Sequence, residues 1–181
     1  MSSQVADTNS PLGRMIWGRR PRRTLVRALA LAIVTYVVFT GPVFPVRLAG
    51  ISMEPTLRDG EIRWVNRWAF WFRDPRPGEI VLIRPQARGR LLYVKRVLAT
   101  PGERMRFVDG RLEINGQHVP EPYVVDAERW NTREYLLQPD EFYVSGDNRG
   151  QPMEAHTTFV APRPMIIGAL WSPRGAIRSL P

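Results

Sequence analysis

The longest charge-free apolar stretch runs over residues 28–46, A-L-A-L-A-I-V-T-Y-V-V-F-T-G-P-V-F-P-V, 19 residues in all. Beyond it the pattern changes. Short apolar or alternating runs are separated by turn residues, which is the signature of strands rather than helices. The spacing predicts strands over residues 61–66, 79–84, 90–98, 104–108, 111–114, 141–145 and 165–171. Asp109-Gly110 lies between two of these and is a hairpin signal, because that turn needs residues that tolerate positive φ. Asn115-Gly116 marks a second tight turn, and 17 prolines punctuate the chain. No long helical periodicity and no internal repeat follows the apolar run. The expected fold is mainly β, one β-rich domain over residues 47–181 preceded by one N-terminal helix.

At 19 residues the apolar run meets the lower limit for crossing a bilayer, about 20 residues. Gly41 and Pro42 are expected to bend or fray its outer end. Tyr36, Phe39 and Phe44 suit a membrane–water interface. A cleaved signal peptide would want a short basic region and small residues before a cut site. Here the basic region is long and the exit is rich in proline, so an uncleaved single-pass anchor is preferred over that reading and over a buried core helix. Charge supplies the orientation. The chain carries a net +9, and residues 1–27 hold Arg14, Arg19, Arg20, Arg22, Arg23 and Arg27 against Asp7 alone. An arginine excess on the N-terminal flank places 1–27 in the cytoplasm, 28–46 in the membrane and 47–181 outside it. In the remainder, arginines are scattered among acids with no basic stripe, so a nucleic-acid partner is not expected. The chain has no cysteine, which excludes disulfides, thiol nucleophiles and thiolate metal sites. Residues 64–72, W-V-N-R-W-A-F-W-F, hold five aromatics. They fit a packed core and a lipid-facing surface equally well.

Two residues stand out for chemistry. Lys95 is the single lysine among 26 basic residues. Arginine cannot shed its proton in a protein, whereas a buried lysine can, so this position is a candidate general base. Strand alternation sets Lys95 on one face with Tyr93 and Val97, opposite Val94 and Arg96. Burial among such neighbours lowers a lysine pKa toward neutrality. Ser52 lies just past the apolar run in G-I-S-M-E-P-T-L. A serine hydroxyl is a poor nucleophile until a base takes its proton. Gly50 allows close backbone approach, Pro55 shapes the turn that follows, and the Ser52 N–H is a candidate oxyanion donor. His118 follows a turn and is expected to be exposed. A Ser-His-Asp arrangement through His156 stays open but has no local pattern behind it. No metal-ligand spacing is present, and no cofactor is expected.

The segments S-M-E-P-T-L, P-G-E-I-V-L, Y-V-K-R-V-L-A-T-P-G-E and S-G-D-N-R-G, in that order, resemble the successive sequence boxes of type I signal peptidases. The resemblance runs from the apolar run to about Val160. It implies a β-rich fold, a membrane anchor in the bacterial cytoplasmic membrane and a Ser-Lys dyad. It also implies cleavage of signal peptides from exported preproteins after small residues, with the lipid bilayer as a second partner. Ser52 matches the nucleophile and Lys95 the general base. Met53 and Pro55 match the box around the serine. Gly50 stands where some members carry a second, hydroxyl oxyanion donor. Asp147, Asn148 and Arg149 match a box whose aspartate supports the site. The chain departs from the family over residues 150–156. Pro152 replaces a serine that would hydrogen-bond the lysine, Glu154 stands in for an aspartate, and His156 takes the place of an arginine. Thr157, Thr158 or a water are candidates to replace the missing hydroxyl. The departure also leaves room for a specialised Ser-Lys peptidase of narrow substrate range, such as a pilin or conjugation type, or an impaired domain that only binds peptides.

Overall fold

The computed structural model describes residues 21–85 and 91–171. Residues 1–20 of the basic segment, and the first residue of the strand expected at 90–98, lie outside them. The chain divides into two compact units with the boundary between Gly41 and Pro42.

In the first unit, helix α1 spans Pro21–Thr40. It begins on a proline, which is tolerated in a first helical turn because its missing N–H has no partner there. It ends before Pro42, which cannot donate to a continuing helix. Residues 43–46 of the apolar run are therefore not helical but form most of strand β1, Val43–Arg47. Arg22, Arg23 and Arg27 occupy the first turns, leaving an uncharged helical stretch of about 13 residues, roughly 20 Å at 1.5 Å per residue. Among the described residues no helix is long and apolar enough to cross a membrane, so the transmembrane helix expected at 28–46 is not shown by them. Its described side chains, from Arg22 to Val37, are all exposed, including Leu25, Leu29, Ile33 and Tyr36.

The second unit is mainly β, as expected. Its further strands are β2 (Ile62–Asn66), β3 (Ile80–Ile83), β4 (Tyr93–Ala99), β5 (Arg104–Val108), β6 (Arg111–Ile114), β7 (Gln117–His118), β8 (Tyr135–Leu136), β9 (Glu141–Ser145), β10 (Phe159–Pro162) and β11 (Ile166–Trp171). A seven-stranded sheet has the order β1-β2-β11-β3-β4-β9-β10, and a four-stranded sheet the order β7-β6-β5-β8. The paired strands are antiparallel in both.

The larger sheet buries apolar side chains on both faces, which is why β3 reads as an unbroken I-V-L-I. Val81 and Ile83 join Phe70, Val97, Phe142 and Val144 on one face. Ile80 and Leu82 join Leu48, Met53, Leu57 and Val65 on the other. A third cluster, around Met105, Phe107, Leu112, Trp130 and Leu137, packs the smaller sheet. Together these cores clamp the central strand β4, which carries Lys95.

The aromatic segment 64–72 is partly buried and partly exposed. Val65 and Phe70 are in the core, whereas Trp64, Trp68, Trp71 and Phe72 are exposed, Phe72 at 95%. Trp171 pairs with Trp64 across β11 and β2 and is exposed as well.

Candidate active site

Ser52 sits in a tight turn between β1 and β2. The turn is closed by Glu54 N–H donating to Ile51 O at 3.1 Å and Leu57 N–H donating to Met53 O at 2.9 Å. Met53 and Leu57 anchor it in the core, with Met53 only 4% exposed. Gly50 adopts φ +99°, a conformation that favours glycine. Its N–H donates to Asp59 Oδ1 at 2.7 Å, so Gly50 shapes the turn while its own donor is already used. The Ser52 N–H has no acceptor among the described residues, which leaves it available to an oxyanion.

The segment after β9 closes over this turn. Asn148 donates from its backbone N–H to Ser52 O at 3.1 Å and from Nδ2 to Ile51 O at 3.2 Å. Gly146 lies so close that a Cβ there would stand 2.1 Å from Ser52 O. A side chain at 146 is therefore incompatible with this seating of the serine turn. Asn148 and Gly146 are the residues that hold Ser52 in place. The sequence singled out neither for that task, because the contact joins segments almost a hundred residues apart.

Lys95 is 1% exposed in the middle of β4. It pairs in register with Val81 of β3. Burial pushes its ammonium from 10.5 down to about 8; Asp147 pulls it upward, and Arg149 adds to the fall. Asp147 itself is engaged by the next residue along the strand. Arg96 donates from Nε to Asp147 Oδ1 at 2.8 Å and from Nη2 to Oδ2 at 2.6 Å, a buried two-pronged pair. Arg96 also donates to Gly78 O at 2.7 Å and stacks on Tyr123, with its guanidinium 3.9 Å from the ring centroid. Arg149 donates to Gly146 O at 2.8 Å and to Glu121 Oε1 at 2.7 Å. Asp147 and Arg149 thus brace β4 and the Gly146 carbonyl. Arg96 is a further supporting residue whose identity the strand pattern alone did not reveal.

A cavity of about 150 Å³ lies beside the serine, walled by Leu48, Met53, Leu57, Leu82 and Val94 with Ser52 on its rim. Tyr93 and Val94, just before Lys95, line the same cavity. Its size and apolar walls suit a small side chain.

The histidines fall in different settings. His118 is exposed, as its turn implied. His156 is buried, its ring 4.9 Å from that of Trp130. Burial first, then the charges of Lys95 and Arg149, push its imidazole down to about 4, against the upward pull of the Asn148 backbone, which approaches the ring without meeting hydrogen-bond distance and angle. Neither ring nitrogen makes a hydrogen bond among the described residues. A Ser-His-Asp triad needs a carboxylate on the imidazole and a base that titrates near neutrality, and His156 has neither.

A family profile described as signal peptidase, peptidase S26, matches residues 22–171. Signal peptidase I T of Bacillus subtilis is 31% identical over 140 residues, covering 71% of this chain and 72% of that protein. A probable signal peptidase I-2 of Synechocystis is 28% identical over 152 residues, 81% of this chain and 68% of that protein. A solved signal peptidase I from Enterococcus faecalis covers 55% of this chain and 98% of its own at 24% identity and a TM-score of 0.43, a likeness too slight to add to the sequence matches.

Proposed function

The chain belongs to the signal peptidase family, peptidase S26, and is a serine endopeptidase; on that premise we propose that Ser52 is its nucleophile and Lys95 its general base. Its reaction is the removal of signal peptides from preproteins. The observation that carries the assignment is a lone lysine, 1% exposed and held near a pKa of 8, on the strand that walls the cavity at Ser52.

The steps follow from the groups present. The signal-peptide segment lies extended beside the Ser52 and Lys95 segments as an added strand. A small side chain before the scissile bond enters the apolar cavity. Neutral Lys95 takes the Ser52 Oγ proton as Oγ attacks the scissile carbonyl. The Ser52 N–H faces the developing oxyanion, a donor worth about 3–4 kcal/mol in the transition state. Protonated Lys95 then gives its proton to the leaving amine. Water hydrolyses the acyl-enzyme, with Lys95 again accepting a proton.

The test is direct. The purified chain in detergent, incubated with a secretory precursor, is expected to release a mature protein cut after a small residue, read by mass spectrometry. The Ser52→Ala protein is expected to leave the precursor whole. Cleavage by Ser52→Ala at the wild-type rate would remove Ser52 from the mechanism.

The same reading makes the bilayer the second partner, with the charge-free part of α1, residues 28–40, as the membrane-facing segment and the arginine-rich flank on the cytoplasmic side. Two features support it. The described side chains of α1 expose apolar groups in every direction, as lipid-facing helices do. The second unit independently exposes Trp64, Trp68, Trp71 and Phe72, and tryptophan favours the headgroup region. Replacing Trp68 and Trp71 together by serine in residues 42–181 is expected to weaken binding to anionic lipid vesicles at least several-fold in a sedimentation assay. Unchanged binding would remove this surface from the membrane reading.

A further inference from the structure

Among the described residues no hydroxyl of the loop after β9 hydrogen-bonds Lys95, and the structure shows what stands near. Thr157 is exposed. Thr158 is half-buried, and its Oγ1 donates to Val144 O at 3.0 Å on β9, which spends its one proton. Pro152 is exposed and has no side-chain donor. His156 is turned inward, 9% exposed, with both ring nitrogens buried and without a hydrogen bond among the described residues. Buried polar atoms almost always have partners, so two on one ring call for a reason.

Gly146 shows where that ring points. Strands β4 and β9 pair Val97 with Val144 and Arg96 with Ser145. Continued one residue past the end of β9, this register would set Lys95 across from Gly146, and the charge of Lys95 is felt at the His156 ring. Directly opposed residues of an antiparallel pair project to the same face. The Cβ that Gly146 lacks would therefore lie on the Lys95 side. That same point is 2.1 Å from Ser52 O, 3.0 Å from His156 Cε1 and 3.1 Å from His156 Nε2. The serine turn, the imidazole edge and the lysine side of the sheet converge on the space left by one glycine.

We propose that His156 is a positioning residue for Lys95, its unpartnered Nε2 standing ready to accept a hydrogen bond from Nζ as the amine turns to Ser52 in the substrate complex. The inference rests on Lys95 being the base. With its pKa near 4 the ring is neutral at working pH, and Nε2 is then an acceptor when Nδ1 carries the proton. The charged groups around it are Lys95 and Arg149, both cations, with Asp147 already bound to Arg96. A neutral acceptor orients the amine without the strong upward pull on its pKa that a second carboxylate would exert. Trp130 fixes the ring from behind.

The experiment compares His156→Phe, which keeps an aromatic ring against Trp130 but no nitrogen, with His156→Gln, which restores an acceptor. Steady-state cleavage of a precursor peptide by the full-length chain in detergent is the readout, with Tm measured for each protein. His156→Phe is expected to lower kcat roughly 10- to 100-fold with KM nearly unchanged, as misplacement of a catalytic group does. His156→Gln is expected to recover most of that loss. A merely structural His156 predicts the reverse, since Phe removes two unpaired nitrogens: equal or higher Tm and unchanged kcat. If Phe does not fold, His156→Leu against His156→Gln makes the same comparison, and equal kcat in those two overturns the proposal. A Lys95→Arg control separates the two readings. Wild-type activity in Lys95→Arg sinks the base assignment, whereas an inactive Lys95→Arg beside a fully active His156→Phe sinks only the role given to His156.

Discussion

Replacing Lys95 by methionine is expected to make the protein more stable at pH 7 by about 3 kcal/mol while lowering peptidase activity roughly 10⁴-fold. Both effects have one cause. Lys95 is 1% exposed, and burial brings its pKa from 10.5 to about 8. Its charged form is thus disfavoured in the folded chain, and each unit of pKa is worth about 1.4 kcal/mol. Below about pH 8 the side chain is protonated in both folded and unfolded chains, and the full cost is present. Between about 8 and 10.5 the unfolded chain holds the extra proton, so wild-type stability climbs with pH. Above 10.5 both states are neutral and the cost is gone. Methionine is close in length and carries no charge, so it fits the same strand position. Its advantage is expected to be full at pH 7, to shrink across that window and to vanish above it. Urea unfolding of both proteins at pH 7 and at the top of the window measures this. A methionine variant no more stable than wild type at pH 7 would mean that Lys95 is not held out of water. Activity carries the complementary sign, because only neutral Lys95 can take the serine proton. Wild-type kcat is expected to rise with pH and level off above about 8.

What made Lys95 legible in the sequence was its uniqueness among arginines, and what made β5 and β6 legible was their turn. Asp109 and Gly110 have φ of 47° and 79°, as the Asp-Gly hairpin signal requires, and the two strands run over the residues expected. Other elements left weaker marks. Strand β1 is hidden because residues 43–46 continue the charge-free run of the helix, with only Gly41 and Pro42 between them. Strands β7 and β8 are two residues each, too short for any alternation to register. Strand β10 ends on Pro162, which argues against a strand in sequence but is tolerated here at the end of the outermost strand of its sheet. The supporting contacts were hidden for a different reason. That Arg96 meets Asp147, that Asn148 holds the Ser52 turn and that His156 faces Gly146 all depend on the β4–β9 register. Periodicity reports which face a residue takes, not which distant residue it meets.

The largest stability effect is expected at Asp147. Converting it to alanine removes both prongs of a buried pair and strands the Arg96 guanidinium, 1% exposed, without its carboxylate. Breaking a buried pair from one side costs about 3–5 kcal/mol, because an uncompensated charge stays inside. The bond to Gly78 O and the stacking on Tyr123 remain for Arg96, so the lower part of that range is expected. A double replacement, Asp147→Leu with Arg96→Met, removes the stranded charge and is expected to recover much of the loss. Denaturant midpoints of the single and double variants check this; equal destabilisation of the two would show that packing, not charge, governs the site. Asp147 also reaches the chemistry, since it pulls the Lys95 pKa upward against burial. In whatever fraction of Asp147→Ala stays folded, Lys95 loses that pull and its pKa falls. The rising limb of the activity profile is then expected at lower pH than in wild type. The aspartate thus adds stability while holding the base partly protonated, and the two measurements together separate its structural share from its electrostatic one.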